Sequence, residues 1–188
     1  MDRVVFLIIL TLFSLDTFAS KDPWDKDQSR WTPLMKFAHS GDTVKIKELL
    51  NSGISVNLRN KDGWTALKVA SKKGQTKTVS FLLRYGADAN LSDKDKMTPL
   101  MEAALHNEKE IARLLMQNGA DPNRKNKTGW TALMGATSFA DIDMMKLLLE
   151  NGADVNIKRR VDGNTALSLA RYNDDKDKIE FLLRSGAK

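Results

Sequence analysis

One tripeptide returns five times along the chain at nearly constant spacing. The copies are Thr32-Pro33-Leu34, Thr65-Ala66-Leu67, Thr98-Pro99-Leu100, Thr131-Ala132-Leu133 and Thr165-Ala166-Leu167, at intervals of 33, 33, 33 and 34 residues. A second marker keeps step with it: Gly53-Ile54-Ser55-Val56-Asn57, Gly86-Ala87-Asp88-Ala89-Asn90, Gly119-Ala120-Asp121-Pro122-Asn123, Gly152-Ala153-Asp154-Val155-Asn156 and a shortened Gly186-Ala187. Self-similarity at this period is the signature of stacked units, each too small to bury its apolar face alone. Such a stack offers a binding surface and no deep catalytic pocket.

The second unit serves as the pattern. Asn60-Lys61-Asp62-Gly63 reads as a tight turn. Thr65 follows where a helix N-cap belongs. Leu67, Val69 and Ala70 give a short first helix its apolar face, and Gly74 breaks it. Val79, Leu82 and Leu83 recur at helical spacing in a second helix, which Gly86 closes as a C′ residue. Pro33 and Pro99 suit the first helical turn, where a missing N–H costs nothing.

Over about 160 residues the chain resembles the ankyrin repeat family. The resemblance implies an all-α repeat solenoid: five stacked helix-turn-helix repeats, starting near residues 30, 60, 93, 126 and 160, with projecting β-hairpin fingers. In that family, partners lie against the finger tips and the concave face of the inner helices. There are departures. The family's histidine after the tripeptide is replaced by Met35, Lys68, Met101, Met134 and Ser168. The turn glycine gives way to Arg30 and Lys96, and the glycine between helices to Asn107, Ala140 and Asp174. These changes touch hairpin and cap geometry, not the fold.

Residues 1–19 stand outside the repeat. Arg3, an apolar run from Val4 to Leu15, and small residues Thr17 and Ala19 have the layout of a secretory signal cut after Ala19. The apolar run is too short for a membrane span, which needs about 20 residues. The expected division is therefore a signal peptide over 1–19 and a repeat domain over 20–188, exported to the periplasm or secreted. No cysteine is present, so stacking stabilises the fold without disulfides. Loss of the signal raises the net charge from +6 to about +7. A basic exported chain points to an acidic protein face or an anionic envelope polymer before nucleic acid.

The search for chemistry yields no enzyme and no cofactor. His39 and His106 are the only histidines, and at about 10 Å per helix layer they stand too far apart to share a metal. The acidic pairs lack the glycine and distant glutamate of a calcium loop. There is no phosphate loop and no nucleophile elbow.

What the repeats do offer is a row of large side chains just before each threonine: Trp31, Trp64, Met97, Trp130 and, last, Asn164. Two readings of that row stand: anchors for a partner, or a ladder packing finger on finger. The end of each inner helix adds Lys72, Lys73, Leu105, Phe139 and Tyr172. Nearby fingers carry Lys125, Lys127, Arg159 and Arg160. Aromatic anchors ringed by charge are how interfaces concentrate affinity. The expected mode is a monomeric scaffold docking over an acidic protein surface.

By resemblance alone, small periplasmic ankyrin proteins of bacteria include immunity-type inhibitors of wall-cutting enzymes. This chain is similar in size, leader and repeat number, so an inhibitor of a peptidoglycan hydrolase comes first. An envelope scaffold or stress-related accessory protein is the alternative, as is a secreted effector acting on a host or prey protein.

Overall fold

A computed structural model describes residues 31–188. The expected leader and its cut after Ala19 lie outside the described residues. Ten helices follow in order: α1 Pro33–Ser40, α2 Thr43–Asn51, α3 Ala66–Lys72, α4 Thr76–Arg84, α5 Pro99–Leu105, α6 Lys109–Gln117, α7 Ala132–Phe139, α8 Ile142–Glu150, α9 Ala166–Tyr172 and α10 Lys176–Arg184. Odd-numbered helices form an inner layer in which each packs on the next, and each also packs on the outer helix that follows it.

The tripeptide explains each inner helix start. Thr32, Thr65, Thr98, Thr131 and Thr165 are N-caps whose hydroxyls accept from the amide three residues on. Each such cap stabilises its helix by about 1 kcal/mol. The middle inner helices α3, α5 and α7 have an inner helix on each flank. Ala66–Ser71, Pro99–Ala104 and Ala132–Thr137 are buried throughout. Small residues allow that close approach: a Cβ on Gly135 would meet Leu105 Cδ2 at 3.2 Å.

Outer helices bury one stripe only, such as Ile111, Ala112 and Leu115 in α6. Their ends form Schellman motifs, as where Ala87 N donates to Leu82 O and Gly86 N to Leu83 O. Beyond that turn, the asparagine of the second marker stitches repeats together. Asn90 Nδ2 donates to Gly119 O at 2.6 Å while its Oδ1 accepts from Asp121 N at 2.9 Å. Asn57, Asn123 and Asn156 make the same pair of bonds one repeat earlier, one later and two later.

Between helices, Asn107 and Asp174 take the left-handed conformation of the missing glycine, at φ 57° and 52°. Asn and Asp tolerate it through local hydrogen bonding, whereas alanine does not. Ala140 accordingly sits extended at φ −113°, and α7 runs on to Phe139.

The fingers are turns, and the described residues contain no strand. Asn60 Oδ1 accepts from the amides of Asp62 and Trp64, and Asp93 and Asn126 do the same in the next two fingers. A single backbone bond links the second finger to the third and the third to the fourth, Lys94 N to Asp62 O and Lys127 N to Asp95 O, both 2.9 Å. One bond per step is too little for a β-ladder. The fifth finger holds the extra residue behind the 34-residue interval: Arg159 N bonds Asn164 O, where Asn60 N bonds Trp64 O.

Candidate functional site

The row before the threonines divides. Trp64 is buried at 7% exposure. Lys68 Nζ lies 3.9 Å from its ring centroid and Lys72 Nζ 5.3 Å away. Trp64 is thus largely covered by those two side chains, the packing side of the two readings of that row. Half-buried Met97 also packs inward, its Sδ 3.2 Å from Asn126 Nδ2. Trp130 is half-buried and differently surrounded. Phe139 stacks on it at 6.4 Å, and the Arg159 guanidinium lies 5.0 Å from its ring.

Arg159 departs from its expected place on a charged rim. Only 4% of it is exposed, and its guanidinium contacts Asp162 at 3.4 Å. Burial lowers its pKa, and the Asp162 charge opposes that shift. Arg159 therefore braces the fifth finger against Trp130. Lys125, Lys127 and Arg160 are exposed, as are Phe139 at 41% and Tyr172 at 46%. Leu105, Lys72 and Lys73 are half-buried.

A cluster beneath the second and third fingers escaped the sequence reading. The Lys68 side chain, 1% exposed, bridges the carboxylates of Asp93 and Glu102, which are 6% and 8% exposed. Its Nζ contacts Asp93 directly and stands 3.2 Å from Glu102. His106 Nε2 reaches the other side of Glu102 at 3.8 Å. Register comparison carries the signal for this cluster. Lys68 stands where other repeats have Met35, Met101 and Met134, and Asp93 where they have Asn60 and Asn126. A buried cation and a carboxylate appear together, one repeat apart.

At the third and fourth helix pairs, Lys109 bonds Asp141 at 2.6 Å and Asp143 at 3.3 Å. That contact, with help from Asn107 and the Met144 amide, lowers the Asp141 carboxyl to about 2. Asp141 also caps α8, so the carboxylate serves as cap and inter-repeat tie. These charged groups are committed to holding the stack.

The family model described as ankyrin repeats (3 copies) matches in four overlapping stretches, residues 6–93, 45–126, 77–159 and 125–188. A search of the curated proteins gave no match. With capped helix pairs at a 33-residue period and family matches running through every repeat, the chain belongs to the ankyrin repeat family, whose repeats are protein-interaction modules.

Proposed function

We propose that this chain is an exported scaffold that docks over an acidic surface of an envelope enzyme and occludes it, with a peptidoglycan hydrolase as the favoured target. The observation that carries the reading is the exposure of Phe139 and Tyr172 at the ends of α7 and α9 in the two repeats whose fingers carry exposed Lys125, Lys127, Lys158 and Arg160, with Phe139 stacked on Trp130 of the fourth finger. Uncovered aromatic area bordered by charge favours protein association. A preformed stack loses little conformational entropy on docking, which favours tight binding by the rigid partner. The Val4–Leu15 run with Thr17 and Ala19 supports export.

The test is capture from a periplasmic extract, followed by titration of each captured hydrolase on purified cell wall. Stoichiometric loss of wall cleavage is the expected result. A captured enzyme that is stabilised but keeps its full rate would turn the reading to an accessory scaffold. A full-length product confined to the cytoplasm would remove it.

A further inference from the structure

The finger tips are not evenly charged. One exposed cation stands at the same register in four successive fingers: Lys61, Lys94, Lys127 and Arg160. The next residue is Asp62 or Asp95 in the second and third fingers, but Thr128 or Val161 in the fourth and fifth. The second finger adds exposed Arg59, whose guanidinium donates to Gly63 O and Ser92 O, and the third adds exposed Lys96, while the fourth adds Arg124 and Lys125 and the fifth Lys158. Asp95 offsets part of Lys127 at 3.3 Å, and Asp162 is occupied by buried Arg159. Positive potential therefore rises toward the last two fingers.

Exposed apolar surface on the inner-helix ends follows the same gradient. Phe139 and Tyr172 end α7 and α9, whereas half-buried Lys73 and His106 occupy the register of Phe139 in the preceding two repeats. Phe139 is the last residue of α7, before extended Ala140, and stacks on Trp130.

We infer that the docking site is confined to the fourth and fifth repeats and takes an acidic protein segment bearing an aromatic or aliphatic side chain. The apolar side chain sits against Phe139 and Tyr172, and its flanking carboxylates face Lys125, Lys158 and Arg160. Charge complementarity selects the occupant. A continuous polyanion would run along every finger, but Asp62 and Asp95 interrupt that path. The cationic stretch spans two repeats, about 20 Å at the usual helix-layer spacing, which suits a short segment. This inference rests on the docking reading above and narrows its partner.

The experiment is an amide-resolved NMR titration with a glutamate-rich peptide carrying one phenylalanine. The same peptide with serine in place of phenylalanine, and inorganic polyphosphate, serve as comparison ligands. Shifts are expected in the fourth and fifth fingers and the ends of α7 and α9. The Lys125→Glu/Arg160→Glu pair should weaken binding at least about tenfold, as should Phe139→Ser, while Lys61→Glu/Lys94→Glu changes it less than about twofold. The amide spectra report folding of each variant directly.

The inference fails if the peptide produces no shifts, or if the second and third fingers respond equally. It also fails if polyphosphate binds as tightly and ignores Phe139→Ser. Peptide binding at these residues with no hydrolase inhibited would sink the inhibitor reading and leave this site standing. Inhibition relieved equally by charge reversal in the second and third fingers would do the opposite.

Discussion

Replacing Lys68 with methionine removes the one cation shared by two buried carboxylates. Asp93 and Glu102 would remain at 6% and 8% side-chain exposure without their ammonium partner. Asp93 keeps two backbone donors, the amides of Asp95 and Met97 at 2.8 and 2.9 Å, so its loss is partial. Breaking a buried pair from one side costs about 3–5 kcal/mol. For a chain of this size that lowers the melting midpoint by roughly 6–20 °C. The rest of the sequence supplies the repair: methionine at the Lys68 register, asparagine at the Asp93 register and Val69 at the Glu102 register. The triple variant Lys68→Met/Asp93→Asn/Glu102→Val should therefore return to within about 1 kcal/mol of the parent, because apolar replacement of a buried ion cluster is close to neutral. Urea unfolding followed by circular dichroism and by tryptophan fluorescence measures both steps. Two probes are needed because repeat arrays lose two-state behaviour when one interface weakens. A cost below about 1 kcal/mol for Lys68→Met would refute the reasoning. So would a triple variant no more stable than the single one.

Asn123→Ala removes bonds to Gly152 O and Asp154 N at 2.9 and 2.7 Å, and should cost about 1–2 kcal/mol, with faster amide exchange at Asp154. Lys96 holds φ 60° at the register where Gly63 and Gly129 stand, so Lys96→Gly should raise stability by about 1 kcal/mol in the same urea assay. The Asp141 carboxyl is lowered from 3.8 to about 2, so its contribution is complete above about pH 4 and disappears as pH falls through about 2. Because the side chain is 45% exposed, screening limits that contribution to about 1 kcal/mol or less. Asp141→Asn keeps an N-cap residue, and its stability should change less than the parent's between pH 4 and 2; parallel profiles would exclude the linkage.

Most of the scaffold was legible because each repeat states the same local rules. Thr65 and its counterparts cap, Gly86 and its counterparts stop, and Leu82 with Leu115, Leu148 and Leu182 is buried at one period. The candidate site was less legible because exposure of one residue depends on side chains several positions away. Nothing about Trp64 alone says that Lys68 and Lys72 lie across its ring. Arg159 reads as a finger-tip cation beside Lys158 and Arg160, yet it holds the inward register of Asn60, Asp93 and Asn126 and lies beside Asp162. The conformation after α7 was hidden too: Ala140 is extended where Asn107 is left-handed, because alanine does not tolerate that turn.

In a stack of near-identical units, positions that agree across repeats answer to the shared packing problem, and divergence marks where one repeat does something else. Trp64 and Trp130 hold the same register, and each has a cation against its ring. For Trp64 the cations come from its own helix and the ring is closed off. For Trp130 the cation comes from the next finger, and the other ring contact is Phe139, which is itself open to solvent. Burying charge under the second and third fingers makes that half of the stack a clamp. In the fourth and fifth repeats Phe139, stacked on Trp130, and Tyr172 still leave 41% and 46% of their surface exposed. Under the docking proposal, those two repeats are the part of the face that a partner would cover.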